Sequence, residues 1–369
     1  MGLPVVPARL AAGIVLIWHL GLQGCDDILA SDPEVSDEDF GVGLQSVFQV
    51  PFDSQDRGWE PFVMNGTQYI ALAADNRDSM VYELDGTTFQ EVQRLSGNII
   101  GERVYDLEYF EVGGSSYLAV ANFKGGESKV CRWEGTQFVE YQTMPLPDHS
   151  IGVTDLEDFA IDNVSYVGAA MAQSPSYVFK WNGTALEEFQ SIPTVQEARS
   201  MKFFDMEGTK YLAIAAHVGG DVAIHRWSGS SFEPWKRLDA KNAVDLSVFY
   251  INDVLYLAVA EHREGPSRIY SWSGSDFEVA QSIEEVYTHA VHAFVAGGVN
   301  FLALATSGRN NRIYAWRGDK FEQVTATEYG ASHSWSSFAH GDDGPYYLAL
   351  AIFQGRPSEI FEFDPSVFQ

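Results

Sequence analysis

Short apolar runs separated by polar turns recur along this chain at a nearly fixed period. The run Tyr117–Ala121 reads Tyr-Leu-Ala-Val-Ala. Related runs begin at seven positions spaced 45 to 49 residues apart, namely Tyr69, Tyr117, Tyr166, Tyr211, Tyr256, Phe301 and Tyr347. In six copies a Phe precedes the run by seven residues, as Phe110 precedes Tyr117. Self-similarity at a fixed period predicts a repeat architecture.

Turn residues between these runs show how the strands connect. One set includes Asn65-Gly66 and a second set includes Asp85-Gly86; both types accept the positive φ of a tight hairpin. Each unit therefore predicts an A strand ending at the Phe, a B strand with Tyr-Leu-Ala, a C strand ending at an aromatic residue, and a D strand such as Phe89–Leu95. Four antiparallel strands form one blade. The sequence predicts an all-β protein, a seven-bladed β-propeller over residues 44–369.

The two ends of the repeat region predict how the ring closes. The last unit stops at Ser366–Gln369, where its D strand would begin. Leu44–Val50 matches the D pattern and precedes the first A strand. We therefore expect this N-terminal strand to complete the last blade, which removes an exposed sheet edge. The alternative is a linear solenoid, which would need capping units.

The first 43 residues predict export and a tether rather than part of the fold. Arg9 precedes the apolar run Leu10–Trp18, and small residues follow up to Cys25. This order predicts an export signal at 1–25, and its apolar run is too short to span a membrane comfortably. Residues 26–39 carry seven acids and no base, so we expect residues 26–43 to form a flexible acidic tether. An ordinary cleaved signal peptide and an uncleaved signal anchor are the alternatives.

The Leu-Gln-Gly-Cys ending at Cys25 resembles a bacterial lipoprotein signal. That resemblance implies a lipid on Cys25 and an extracytoplasmic location, in the cell envelope or as a secreted protein. The only other cysteine is Cys131, which is then a lone thiol that we expect to be buried and inert. A disulfide between the two cysteines is the alternative in an oxidising compartment.

The repeats also resemble a known family. Their pattern is Tyr-Leu-Ala-Val-Ala, then Val or Ile-x-x-Trp-x-Gly-x-x-Phe, then Gln-x-Leu or Gln-x-Ile, over residues 44–369. This is similar to the EAR repeat, also called the EPTP repeat, of the leucine-rich glioma-inactivated protein family. In that family the repeats form a seven-bladed propeller that binds cell-surface receptors. The resemblance implies a protein-binding module without catalysis.

Charge and repeat spacing restrict the function further. The net charge of −28 excludes nucleic acid as a natural partner and disfavours anionic lipid surfaces, so membrane contact is expected only through the lipid anchor. The regular spacing favours a monomeric binding platform for a protein partner or a surface glycan, because enzymes usually interrupt such repeats with a long insertion. The alternatives are a hydrolase or lyase at the channel mouth, or a glycan-binding propeller.

Three aspartates occupy one position of the repeat, four residues before the A-strand Phe. They are Asp106, Asp155 and Asp245. Because A strands line the channel of a propeller, these side chains are candidate ligands for Ca²⁺ there, and no cofactor is otherwise expected. The family resemblance also implies that the channel can hold a metal. The alternative is that the aspartates cap turns or form hydrogen bonds between blades.

Histidines form a second candidate site. His289 and His333 occupy equivalent positions, five residues before Phe294 and Phe338. His217 and His262 are equivalent to each other, six residues after the B-strand Tyr. We expect pairs on neighbouring blades to meet at a channel mouth, where they would bind zinc or a ligand. The spacing lacks the Cys or Glu that would indicate a defined zinc motif.

Overall fold

The structure is a computed structural model. It describes residues 40–51, 55–96, 101, 103–124, 126–173, 175–193, 197–217, 220–263, 265–285, 287–308, 310–341 and 344–369. The predicted export signal, Cys25 and residues 26–39 of the predicted tether lie outside the described residues. Residues 40–43 form a turn beside the propeller, where the N–H of Gly41 donates to the carbonyl oxygen of Ala326 at 2.9 Å.

The described residues form 28 β-strands and one short 3-10 turn, Pro365–Phe368. In chain order the strands are β1 (Leu44–Gln49), β2 (Asp56–Met64), β3 (Thr67–Ala74), β4 (Ser79–Asp85), β5 (Thr88–Leu95), β6 (Arg103–Val112), β7 (Ser115–Lys124), β8 (Lys129–Trp133), β9 (Phe138–Thr143), β10 (Val153–Ile161), β11 (Val164–Met171), β12 (Ser176–Trp181), β13 (Leu186–Ile192), β14 (Ala198–Met206), β15 (Thr209–Ala216), β16 (Val222–Trp227), β17 (Phe232–Leu238), β18 (Ala243–Ile251), β19 (Val254–Glu261), β20 (Ser267–Trp272), β21 (Phe277–Ile283), β22 (Thr288–Ala296), β23 (Val299–Thr306), β24 (Arg312–Trp316), β25 (Phe321–Ala326), β26 (Ser332–Ala339), β27 (Tyr346–Ile352) and β28 (Glu359–Phe363).

These strands pair into seven four-stranded antiparallel sheets. Blades 1 to 6 each use four consecutive strands, from β2–β5 in blade 1 to β22–β25 in blade 6. Blade 7 contains β26, β27 and β28, with β1 on the outside. The first strand of every blade, its A strand, contacts the A strands of both neighbouring blades, so the ring is closed. The predicted seven-bladed all-β propeller is confirmed.

The predicted A–B hairpin turns are present in the first six blades. Both residues of each turn have positive φ, for example Asn65 at 52° with Gly66 at 80°, and Asp162 at 51° with Asn163 at 64°. Two positive φ values match the twist of the flanking strands, which explains why Asn, Asp and Gly recur there. The A strands run two residues past the predicted Phe, to Met64 in blade 1.

A stacked aromatic pair lies at the same place in all seven blades. The A-strand Phe sits directly across the ladder from the B-strand Tyr or Phe, as Phe62 does from Tyr69. Their ring centroids are 5.0 to 5.6 Å apart and the rings are within 23° of parallel. These pairs bury large apolar surfaces between neighbouring blades. The Phe and Tyr that recur in the sequence therefore mark positions in the hydrophobic core of the protein.

Glutamine side chains join the outer strands of neighbouring blades. Gln142, in the D strand of blade 2, donates to the carbonyl oxygen of Leu186 at 2.7 Å and accepts the N–H of Leu186 at 2.9 Å. Gln93, Gln190 and Gln281 make the same pair of bonds to the next blade. An amide side chain can replace a backbone peptide in such a pairing because it carries the same donor and acceptor.

The N-terminal strand completes blade 7, as predicted. Strand β1 pairs antiparallel with β28, and Leu44 lies opposite Phe363. Phe48 takes the place that glutamine holds in four of the other six D strands; Lys236 and Thr325 hold it in the remaining two. Its ring lies 4.9 Å from the ring of Tyr82 and 5.4 Å from that of Phe89, both in blade 1. One aromatic side chain therefore joins the two ends of the ring by apolar contact.

We predict that Phe48→Ala destabilises the protein by about 2 kcal/mol, less than a fully buried Phe→Ala change costs, because Phe48 is half-buried. Urea denaturation followed by tryptophan fluorescence measures the loss. Val92→Ala, on an exposed position of the blade 1 D strand, serves as the control and should change stability little. Equal effects of the two substitutions would contradict a closing role for Phe48.

Candidate functional site

A β-bulge interrupts the A–B pairing at the same place in every blade. A bulge leaves one residue unpaired and turns its side chain away from the regular alternation. The seven unpaired residues are Arg57, Tyr105, Thr154, Arg199, Val244, His289 and His333. All seven line one central cavity of about 340 Å³, which we call the channel mouth.

The four predicted histidines form one series of neighbouring rings, and two of them, His289 and His333, line this mouth. His289 and His333 are bulge residues whose ring centroids are 5.5 Å apart. The ring of His262 lies 4.5 Å from that of His289, and the ring of His217 lies 6.0 Å from that of His262. The structure joins the two predicted pairs into one series, and a ligand site at these histidines stays a prediction. We call these four residues the histidine arc.

Burial keeps the histidine arc neutral. It lowers the pKa of His289 to about 3, with the nearby His262 and Arg57 adding to the effect. Burial lowers the pKa of His262 to about 4, and it also lowers the pKa of His333 and of His217. The Nδ1 of His333 donates to the carbonyl oxygen of Arg57 at 2.9 Å, so its Nε2 is an acceptor.

Two arginines that the sequence analysis missed stand at the same level as the histidines. The guanidinium carbon of Arg57 lies 4.2 Å from the ring centre of Tyr105 and 4.4 Å from that of Phe353. Arg57 also donates to the buried Asp75 at 2.5 Å. Arg199 enters from blade 4 and lies 3.5 Å from Glu197. Their common position five residues before the A-strand Phe is the signal that would have found them.

The three predicted aspartates lie one residue further along the A strands and line the same cavity. Each carboxylate accepts a backbone N–H from the next blade. Asp106 accepts from Leu156 at 2.9 Å, Asp155 from Met201 at 2.7 Å, and Asp245 from Val291 at 2.9 Å. These contacts are the inter-blade hydrogen bonds that the sequence analysis gave as the alternative. We call the three residues the aspartate belt.

A second acidic row, two residues before the A-strand Phe, was missed by the sequence analysis. Glu60, Glu108 and Glu157 accept the backbone N–H groups of Tyr109, Asp158 and Phe203, at 3.2, 3.1 and 2.9 Å. In blade 4 this position holds Lys202, whose Nζ donates to Glu157 at 2.7 Å. The repeat spacing that revealed the aspartates would also have revealed this row.

Burial and neighbouring charges shift the pKa values of these carboxyl groups and of Lys202. Burial raises the pKa of Asp106 to about 6 and raises the pKa values of Asp155 and Asp245. Burial opposes the charge of Lys202, but Glu157 and the other carboxylates outweigh it and hold the pKa of Lys202 well above its usual value. The channel therefore holds protons more readily than an exposed group of acids would.

The calcium hypothesis stays a prediction. In the part of the chain that the structure describes, no group of three or more His, Cys, Asp or Glu side chains is arranged to hold a metal ion. Each belt aspartate also has one oxygen engaged with a backbone N–H. The same geometry gives the histidine arc no zinc-binding group of three.

Cys131 is fully buried and unpaired. Burial raises the pKa of its thiol to about 12, which keeps the thiol protonated and unreactive. This agrees with the expected inert thiol. The alternative disulfide to Cys25 involves a residue outside the described part of the chain.

We predict that Asp106→Asn makes the protein progressively more stable than the wild type as pH rises from about 5 to 7.5. The folded pKa of about 6 exceeds the unfolded value of about 3.9, so the native state binds more protons in between. Stability from this carboxyl is complete below the unfolded pKa and is lost as pH rises through the folded pKa. The expected change in the difference is of the order of 1 kcal/mol.

Urea denaturation at several pH values measures this difference, and the Asn side chain keeps an acceptor for the N–H of Leu156. Asp319→Asn, on an exposed turn, is the matched control. A difference between Asp106→Asn and wild type that is constant with pH would contradict the assignment.

Three segments of the chain match the EPTP domain, residues 88–134, 186–228 and 231–273. The mouse protein Leucine-rich repeat LGI family member 2 is 25% identical over 201 residues, which is 53% of this chain and 36% of that protein. Mouse Leucine-rich glioma-inactivated protein 1 is 24% identical over 203 residues, again 53% of this chain and 36% of that protein. The matched part therefore spans about a third of the length of these relatives.

Solved structures show the same fold. A chain in the crystal structure of BBS1N in complex with ARL6DN, soaked with mercury, superposes with a TM-score of 0.57 at 14% identity. The match covers 87% of this chain and 98% of that chain. A likeness at that identity concerns the fold alone, whereas the repeat match and the glioma-inactivated relatives concern the sequence. Within this seven-bladed β-propeller, the three matched segments are EPTP repeats.

Proposed function

We propose that the chain is a non-enzymatic binding module that acts outside the cytoplasm and presents its propeller surface to a protein partner. The observation that carries this proposal is the EPTP match in three segments, together with relatives named for the LGI family. In that family, as the sequence resemblance implies, the propeller serves protein recognition. The proposal transfers this class of function and leaves the identity of the partner open.

The geometry of the mouth supports binding over hydrolysis. A general base of the histidine type is usually oriented by a carboxylate on its second nitrogen. Among the described members of the histidine arc, only His217 has such a contact, at 3.1 Å from Glu197. His333 is oriented by a backbone carbonyl instead. This arrangement suits ligand contact better than proton transfer.

The described residues include no helix that is both long enough and apolar enough to span a bilayer. We propose that a lipid on Cys25 attaches the chain to a membrane. The seven acids of residues 26–39 would then hold the propeller away from the membrane surface by charge repulsion from anionic headgroups.

We predict that the purified chain captures one protein saturably from the surface of its native cells. Photo-cross-linking followed by mass spectrometry identifies that protein, and excess unlabelled chain should compete for it. Heat-denatured chain is the control for adhesion of exposed apolar surface. Capture that survives enzymatic deglycosylation supports a protein partner, and capture that deglycosylation abolishes would favour the glycan alternative. Absence of saturable capture would contradict the proposed function.

We predict that cells fed an alkyne-bearing fatty acid label the full-length chain, because the thiol of Cys25 would carry the lipid. Cys25→Ala should lose the label. Cys131→Ala is the matched control, since it removes the only other thiol and should keep the label. Labelling that persists in Cys25→Ala, or no labelling of the wild type, would contradict lipid attachment at this residue.

A further inference from the structure

The channel mouth carries opposite charges at two adjacent levels. Arg57 and Arg199 stand at the bulge level, on blades 1 and 4. The aspartate belt stands one residue further along its strands. Both levels line the same cavity of about 340 Å³, which is at the small end for ligand pockets. The cavity therefore fits a small molecule and not a folded domain.

Arg57 is held rigidly with donors to spare. Tyr105 and Phe353 both pack against its guanidinium, with ring centres 4.2 and 4.4 Å from the guanidinium carbon, and its side chain is only 10% exposed. Asp75 takes one Nη group of Arg57. The Nε of Arg57 has no hydrogen-bond partner within the described residues. A planar, preorganised guanidinium loses little entropy on binding a carboxylate.

Positive charge at this level is not fully neutralised by the protein. Asp75 is shared, because Arg103 donates to it as well, from Nε at 2.7 Å and from Nη2 at 3.0 Å. Within the described residues, the ion pair of Arg199 is the long 3.5 Å contact with Glu197, which also faces His217. One carboxylate thus serves two guanidiniums on one side of the mouth. A carboxylate from a ligand would supply the missing negative charge.

The belt level offers acceptors and room. Each belt aspartate uses one oxygen for a backbone N–H, and a carboxylate can accept further hydrogen bonds. Space remains beside Gly58, where an added Cβ would lie 3.8 Å from Oδ1 of Asp106 and 3.8 Å from Oγ of Ser334. That Oγ is buried and has no partner within the described residues.

Two charge levels discriminate among ligands. The belt repels a simple anion held at the arginines, and the arginines repel a simple cation held at the belt. A molecule with both charges satisfies both levels at once. We propose that the channel mouth binds a small zwitterion whose carboxylate lies between Arg57 and Arg199 and whose ammonium group lies against the aspartate belt. The neutral imidazoles of His289 and His333 border the carboxylate end.

The test is calorimetric titration of the full-length chain, in buffer with EDTA, with compounds that differ only in charge. 4-Aminobutyrate is compared with butyrate and butylamine, which have the same carbon chain and one charge each. Glycine and 5-aminopentanoate vary the charge separation. We expect at least one of the three zwitterions to bind about tenfold tighter than its singly charged counterparts. No preference for any zwitterion over its matched acid and amine would overturn the proposal.

Variants locate the site. Arg57→Gln and Arg199→Gln should each weaken zwitterion binding about tenfold, and so should Asp245→Asn. Asp75 stays paired with Arg103 in Arg57→Gln, so folding is expected to persist, and Arg199→Gln breaks only a long contact. Arg237→Gln removes an exposed arginine that pairs with Asp221 outside the cavity and should bind as the wild type does. Wild-type affinity in all three mouth variants would overturn the proposal.

Discussion

The structure depends on one constraint, which is that the backbone N–H groups at the inner edge of each blade need hydrogen-bond acceptors. An A strand pairs with its B strand on one side only, and its other side faces a narrow channel where backbone N–H groups still need acceptors. Side chains of the preceding blade supply them. Asp155 and Glu157 accept the N–H groups of Met201 and Phe203. Blades are therefore joined at the axis by polar bonds and between their faces by stacked aromatic rings.

This solution buries the acids and brings them close together. Burial is the main cause of the raised pKa values of Asp106 and Asp155, and repulsion from neighbouring carboxylates adds to it. The β-bulge adds a second consequence. In six of the seven A strands, the bulge residue and the residue after it both line the cavity, as Tyr105 and Asp106 do. As a result, the guanidinium groups of Arg57 and Arg199 lie at a level next to that of the aspartate belt. The geometry that satisfies the strand edges also creates the dipolar mouth.

Much of this could be predicted from the sequence, because a fixed period transfers each observation to all blades. The ring, the Phe62–Tyr69 type of pair and the closing strand Leu44–Gln49 follow from that period. The bulge could not be predicted, since it breaks the alternation on which strand reasoning rests. The contact between the guanidinium of Arg57 and the ring of Phe353 could not be predicted either, because Phe353 lies 296 positions later in the chain. Such contacts exist only after the ring closes.

The bounds of the EPTP matches show how the repeat unit of the sequence is related to closure of the ring. Each matched segment begins at a D strand and ends just after the C strand of the following blade, as 186–228 begins at β13 and ends beyond Trp227 in β16. The sequence unit is therefore offset from the blade by one strand. A unit defined in this way always joins two blades, and the glutamine bridges lie at that junction. At the chain ends the same offset separates β1 from the other strands of its blade. Strand β1 therefore pairs with β28, and this pairing closes the ring in the same way that each D strand completes the other blades.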